Sequence, residues 1–371
     1  MIGDPIAWLA FACLGLGLLS PLGEAGGWLE RPGDLSAGLA ALAAAIWCAG
    51  WRPSGLVAGL IVAAAVAIGV LAPLRLVAAV GAVGPQALGL WAYLLGLAFL
   101  AWRAMAMLAT SASLSKPINR LLALLVPLLF GAWLITVWQV LVVGFGVPRV
   151  LLPAPSAIAE VMAGSSATMA ADFYQTIVRA VIPGWLIGCG AGFVIALLVD
   201  RVPFLQRGLL PLGNFVSAIP IVGIAPIMVM WFGFDWHSKA AVVVIMTVFP
   251  MLVNTIAGLA ASGAMERDLM RSYGAGYVQT MVRLRLPSAL PFIFNALKIN
   301  STLAMIGAIV AEFFGTPIVG MGFRISTEVG RMNIDLVWGT IVVAAVTGSL
   351  FYGLLALLER TVTFWHPSYR T

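Results

Sequence analysis

Covalent chemistry needs clustered nucleophiles, bases or metal ligands, and this chain keeps such residues apart. His237 and His366 are isolated, and Cys13, Cys48 and Cys189 each sit inside an apolar run without metal-ligand spacing. The cysteines read as small membrane-buried side chains. Polar side chains concentrate in one segment, residues 262–291, SGAMERDLMRSYGAGYVQTMVRLRLPSALP. Between Ala264 and Tyr273 the apolar residues Met265, Leu269, Met270 and Tyr273 recur at helical spacing, with Glu266, Arg267 and Arg271 on the other side. Gly274 and Gly276 break that helix, because glycine tolerates positive φ and close backbone approach. A second short helix, Tyr277–Leu286, runs into Pro287, and Pro287 or Pro291 begins the next long helix. Two short amphipathic helices at an angle make a protruding knob. Physics alone leaves two uses open for it: lying in a lipid headgroup layer, or docking into a groove on a soluble partner.

The elements around the knob are apolar to an extent that no soluble domain shows. Of 371 residues 62% are hydrophobic and 9% charged, against roughly 25% charged in an ordinary soluble domain. With a mean hydropathy of +1.06, too few polar residues exist to cover a water-facing surface. That excludes a cytosolic enzyme, a nucleic-acid-binding domain and a secreted disulfide scaffold. The net charge of +6 fits Lys and Arg gathered in cytoplasmic loops better than nucleic-acid binding.

Runs able to cross a core of about 30 Å lie at Pro5–Ser20, Leu35–Gly50, Ser54–Leu74 and Gln86–Leu108. After the Ser/Thr-rich linker Thr110–Lys116 come Leu121–Val143, Thr176–Val199, Leu209–Phe232, Lys239–Ala261, Pro291–Phe314 and Leu336–Leu358. The predicted fold is an all-α polytopic membrane protein of about ten transmembrane helices, with eight or nine as alternatives because the first two runs are short. A signal peptide over Ile6–Leu19 is disfavoured by Asp4 and by the lack of a basic stretch before it, so a retained first helix is expected. Placing the amino terminus inside puts most Lys and Arg on the cytoplasmic side, which predicts both termini inside and an even number of spans. Trp28, Trp51, Trp102, Trp231, Trp236 and Trp365 fall near span ends, where headgroup anchoring suffices to explain them. Gly184, Gly188, Gly190 and Gly192 read as a face for close helix approach.

The knob resembles the cytoplasmic signature of ABC importer permeases: an EAA triplet, three residues, Gly, nine residues, then Ile-x-Leu-Pro. Asp268-Leu269-Met270 holds the triplet position, Arg271-Ser272-Tyr273 the gap, and Gly274 the glycine. Ala275 to Arg283 are the nine residues and Leu284-Arg285-Leu286-Pro287 the end. The spacing is intact, while the triplet keeps its acid as Asp and replaces both alanines with larger residues. Leu151-Leu152-Pro153-Ala154-Pro155-Ser156 resembles the Pro-x-Pro-Ser segment after the first core span, and residues 213–233 resemble the proline-broken third span. Ala311-Glu312-Phe313-Phe314-Gly315 with Gly320-Met321-Gly322-Phe323 resembles the closing outer loop. Together these features are similar to the nitrate/sulfonate/taurine group of binding-protein-dependent permeases. The resemblance covers about Leu121 to Thr371, and Met1 to Ser115 has no counterpart in a six-span member.

The resemblance implies a six-helix core of the type I importer kind over residues 116–371, with coupling loop 262–290 and an extra transmembrane block over residues 1–115. It implies a permease in a bacterial inner membrane that forms a dimer, expected to be a homodimer, on two cytoplasmic ABC ATPase subunits. An extracytoplasmic solute-binding protein delivers the solute, a small anion such as nitrate, sulfonate, taurine or bicarbonate, with aromatic or vitamin-precursor compounds as alternatives. The chain itself would bind no cofactor, and ATP and Mg would sit on the partner ATPase. Consistently, the sequence has no G-x-x-x-x-G-K-[ST] phosphate loop. The expected ATPase-coupling residues are Asp268, Leu269, Met270, Tyr273, Gly274, Ala275 and Pro287, while Arg271, Arg283 and Arg285 serve either as headgroup anchors or as ATPase contacts.

In such a dimer the third and fifth core spans face the central passage. Their candidates for the translocation path are Asn214, Ser217, Pro220, Asn295, Lys298, Asn300, Ser301, Thr302 and Glu312. Lys298 is placed to snorkel to the inner interface, Glu312 to meet water at the outer end, and Pro220 and Pro226 to interrupt one span. The extra block offers nothing with which to bind a hydrophilic solute and is read as peripheral packing. The competing class is a secondary transporter driven by an ion gradient, which needs inverted repeats, not evident between the halves, and membrane-embedded acids, missing apart from Glu312 and boundary residues such as Asp200.

Overall fold

The computed structural model describes residues 4–23, 26–111, 116–202, 204–205, 208, 219–315 and 318–365, and every regular element among them is helical. Among the described residues eight helices are long and apolar enough to cross a membrane, and two shorter apolar helices accompany them. The chain is an all-α polytopic membrane protein. It divides into two compact units, Met1–Ala159 and Glu160–Thr371. This division lies beyond the 115/116 boundary expected from sequence, because α5 (Lys116–Gly144) packs on the helices before it.

The first unit holds α1 (Pro5–Leu19), α2 (Pro32–Trp51), α3 (Leu56–Val80), α4 (Leu88–Thr110) and α5. Asp4 caps α1, its carboxylate accepting from the N–H of Ile6 at 3.2 Å, and Pro5 follows where no N–H is needed. Asp4 also pairs with Arg103 near the end of α4, and Arg103 Nη2 donates to the Pro53 carbonyl at 3.3 Å. At the other end of the bundle Arg75 lies 3.8 Å from Asp34. These contacts make α1–α4 an up-down-up-down block whose chain returns to the side on which it started.

Prolines explain two of the block's buried polar bonds. Pro73 inside α3 has no N–H to give the carbonyl four residues back, that of Gly69, and the buried Tyr93 hydroxyl donates to that oxygen at 3.0 Å. Pro21 likewise cannot serve Gly17, whose carbonyl accepts the Trp28 indole N–H at 2.8 Å. Trp28 is therefore buried, at 3% exposure, and is not the headgroup anchor its position suggested. Trp51, Trp102 and Trp231 are exposed.

Helix α6 (Pro155–Gly164) spans the division. In the second unit α7 (Ser166–Phe173) continues through a π-helical stretch, Tyr174–Val181, into α8 (Ile182–Arg201). Then come α9 (Ile221–Phe232), α10 (Trp236–Ala260), the elbow helices α11 (Ala264–Ser272) and α12 (Tyr277–Thr280), and a second π-helical turn, Met281–Arg285. Helices α13 (Leu286–Glu312), α14 (Met321–Gly330) and α15 (Ile334–Val362) complete the unit. Each π segment stops one residue short of a proline. The N–H of Ile182 reaches back to Ile177 before Pro183, and that of Leu286 reaches back to Met281 before Pro287. A proline ring clashes with the carbonyl four residues back, and a widened turn makes room for that carbonyl.

Helix α10 is the centre of this unit, with α8 and α13 packed along it. A Cβ on Gly184 would stand 2.7 Å from Cβ of Val243, and one on Gly192 2.8 Å from Cβ of Met251. With Gly188 these residues form the close face on α10. Gly190 has open space around it, so it does not belong to that face. Across α10, Gly258 lies against the Ala289 backbone of α13. Pro220 stands with extended backbone at the N-cap of α9 and Pro226 lies within the helix, while residues 209–218 of the expected span Leu209–Phe232 lie outside the described residues.

Candidate functional site

Among the described residues the elbow helices stand out by their exposure. No residue of α11 or α12 is buried. Met265, Leu269 and Tyr273, one turn apart, are 84%, 56% and 81% exposed. Glu266 in the first turn and Arg271 in the last suit the helix dipole, and Arg271 pairs with Asp268 at 3.3 Å. Gly274 ends α11 with φ +72°, its N–H on the Arg271 carbonyl at 2.9 Å, and Ala275 N–H reaches the Met270 carbonyl at 3.0 Å. This is the Schellman pattern, in which a left-handed residue satisfies the last carbonyls of the helix. Any side chain at position 274 would strain it. Asp268 is exposed, Met270, Ala275 and Pro287 are half-buried, and α13 begins at Leu286 with Pro287 in its first turn.

At the elbow's base, Arg285 forks onto Asp200 at the end of α8. Nη1 lies 2.6 Å from Oδ2 and Nη2 2.7 Å from Oδ1, while Nε donates to the Leu259 carbonyl of α10 at 3.2 Å. Tyr277 of α12 donates its hydroxyl to Asp200 at 3.2 Å, and Arg201 lies over the Tyr277 ring at 5.0 Å. Arg285 is thus a cross-brace inside the chain, neither a headgroup anchor nor a free contact for a partner.

The polar residues of α13 separate onto different faces. Asn295, Ile299, Thr302 and Ile306 share an exposed face. Asn300 and Ser301 are fully buried. The Asn300 amide donates to the Thr247 carbonyl at 2.8 Å and to Cys189 Sγ at 3.2 Å, which ties α13 to α10 and α8. Ser301 donates to the Lys298 carbonyl at 2.7 Å. Sequence position put these two in the path, and the structure puts them in packing. Lys298 lies roughly three turns into α13, and instead of snorkelling it pairs with Glu359 of α15 at 2.6 Å. Asn214 and Ser217 lie outside the described residues, and Pro220 is exposed at the start of α9.

At the end of the unit remote from the elbow, Glu312 is 2% exposed rather than bathed in interfacial water. Its carboxylate accepts from the Thr176 hydroxyl at 2.8 Å and from the Gly322 N–H at 2.6 Å. The Thr176 oxygen accepts from Met321 N–H at 2.8 Å, and Asp172 accepts from Gly320 N–H at 2.8 Å and from Arg324 Nε at 2.8 Å. Two carboxylates and a hydroxyl therefore take the first amides of α14, where a helix favours negative charge. A Cβ on Gly320 would sit 2.8 Å from the Glu312 carboxyl carbon. The glycines of the Gly-x-Gly segment are there so that backbone can meet the acids.

The chain is thus a polytopic bundle carrying an exposed amphipathic elbow. Residues 188–364 match the family described as binding-protein-dependent transport system inner membrane component. The formylaminopyrimidine transport permease protein of Halalkalibacterium halodurans is 30% identical over 243 residues, covering 64% of this chain and 95% of the relative. The taurine transport system permease protein of Escherichia coli is 26% identical over 246 residues, 63% of this chain and 87% of the relative. The bicarbonate transport system permease protein of Synechococcus elongatus is 29% identical over 193 residues, 51% and 69% respectively. The chain belongs to the ABC importer permeases, of the nitrate/sulfonate/taurine type, and is a multi-pass inner-membrane protein.

Proposed function

We propose that the chain is the path-forming permease of an ATP-driven importer, seated on two copies of a separate ABC ATPase through its elbow. The observation that carries this reading is the apolar stripe Met265–Leu269–Tyr273, held out on a helix without a buried residue. Apolar surface of that kind gains most when a partner covers it. In this reading the elbow and both termini are cytoplasmic. ATP and Mg belong to the ATPase, an extracytoplasmic binding protein delivers the solute, and a second copy of the chain completes the passage. Asp268, Leu269, Met270, Tyr273, Gly274, Ala275 and Pro287 form or shape the docking element. Closure of the ATPase pair moves the elbow and biases an inward/outward equilibrium of the helices.

The proposed solute is a small anion of the sulfonate, taurine or bicarbonate kind. A vitamin-precursor solute is the second reading, favoured by the 30% identity to a formylaminopyrimidine permease. The test is purification with an ABC ATPase, then reconstitution with its binding protein. ATP-dependent accumulation of taurine or bicarbonate is expected. Uptake that follows an imposed proton or sodium gradient without ATP would overturn the reading.

The exposed face of α13 is the proposed wall of the path. Asn295→Leu and Thr302→Val are each expected to lower uptake about tenfold with ATPase attachment kept, since a lost polar contact of about 1.4 kcal/mol is a factor of ten. Asn300→Ala is expected instead to lower the thermal stability of the purified chain, because it removes a bond between buried helices. Unchanged uptake in both face variants would take that face off the path.

A further inference from the structure

The elbow is not held to the membrane helices by packing, since Met281 at its base is the first buried residue after Ser262. Directly beyond it the backbone is π-helical over Met281–Arg285, and Pro287 gives no N–H to the turn behind it. A wide turn followed by a missing donor is the weakest stretch of helix between elbow and α13. A load applied at the elbow would bend the chain there unless something spans it.

We propose that Asp200, Arg285 and Tyr277 form the joint that spans this weak turn and passes elbow displacement to α8 and α10. The proposal rests on the ATPase-coupling reading above and names the residues that transmit the stroke rather than those that dock. From the last position of the π-helical turn, directly before α13, the Arg285 guanidinium reaches two other helices: α8 through both Asp200 oxygens and α10 through the Leu259 carbonyl. The Asp200 and Arg285 side chains are 11% and 15% exposed, so the fork is largely shielded from water, and its planar two-point geometry resists rotation. Tyr277 adds a second attachment from the elbow side of the weak turn, with Arg201 stacked on its ring. Helix α8 in turn lies flush on α10 along Gly184, Gly188 and Gly192, so a push on Asp200 moves the two helices together. These are positioning residues, acting through the helices they connect.

The experiment uses the full transporter reconstituted with its ATPase and binding protein, reading ATPase stoichiometry on the purified complex, ATP hydrolysis and solute uptake. Asp200→Asn is expected to keep ATPase stoichiometry while uptake per ATP hydrolysed falls about tenfold, as for loss of one charged partner in a shielded pair. Tyr277→Phe, which removes one hydroxyl and leaves the fold alone, is expected to lower it about twofold. The double variant Asp200→Asn with Tyr277→Phe is expected to lose less than the product of the two single losses, the non-additivity of a direct contact. Uptake per ATP unchanged in Asp200→Asn and Tyr277→Phe, or strictly multiplicative losses in the double variant, would overturn the joint. Loss of the ATPase from Asp200→Asn would also overturn it, by making Asp200 part of the docking surface. If the unmodified chain holds no ATPase, the coupling reading fails and the joint falls with it, an outcome read before any variant is made.

Discussion

Leu269→Arg is expected to strip the ATPase from the purified complex and to abolish ATP-dependent uptake, while the chain alone melts at its usual temperature. Leu269 is 56% exposed and touches no buried core, so the free chain loses little when it is replaced. In the proposed docked complex the side chain would fill a cleft on the ATPase. Covering a leucine is worth about 2 kcal/mol, and an uncompensated guanidinium in the same place costs a further 2 kcal/mol or so. Together these predict a loss of attachment of about a hundredfold or more, at 1.4 kcal/mol per factor of ten. Met265→Arg, on the same stripe, should act in the same direction. The measurement is the molar ratio of ATPase to permease after size-exclusion chromatography, beside a thermal melt of the chain. An unchanged ratio would exclude the stripe as the docking surface.

The spans were legible because hydrophobic runs are local, and a run broken by charge or proline shows its limits in a short window. Even so, the structure lengthens several of them. Helix α3 runs on to Val80 past Arg75 because that guanidinium lies near Asp34 at the end of the bundle. Helix α13 starts at Leu286, before Pro291, because the π-helical turn Met281–Arg285 carries the chain straight into it. The elbow was legible for the same local reason, its period and its glycine lying within twenty residues.

What sequence could not give is which polar groups meet. Asp200 and Arg285 are 85 positions apart, and Thr176 and Glu312 are 136 apart. No window joins them, so Arg285 read as a headgroup anchor or an ATPase contact and Glu312 as a solvated end group. Helical phase separates Asn295 from Asn300, but which phase faced a neighbour depended on where α10 and α8 packed. One signal was present and unused: the excess of prolines inside spans marks carbonyls in need of a donor, and Tyr93 and Trp28 supply two.

Arg324→Met is expected to destabilise the second unit by about 3–5 kcal/mol, more than Asp172→Asn does, because the two variants leave different charges stranded. Asp172 is 1% exposed, and without Arg324 its carboxylate keeps the Gly320 N–H as its one near partner among the described residues. Arg324, deprived of Asp172, still has Glu328 at 3.7 Å and a side chain 16% open to solvent. The double variant Arg324→Met with Asp172→Asn should cost less than the sum of the two, since neither group is then left charged and alone. The same reasoning extends to Glu312→Ala, which strips the acceptor from the Gly322 N–H and from the Thr176 hydroxyl together. Urea or thermal unfolding of the purified chain in detergent measures all of these. Strict additivity of Asp172 and Arg324 would mean that the pair is held apart by water in solution, and that α14 is positioned by packing alone.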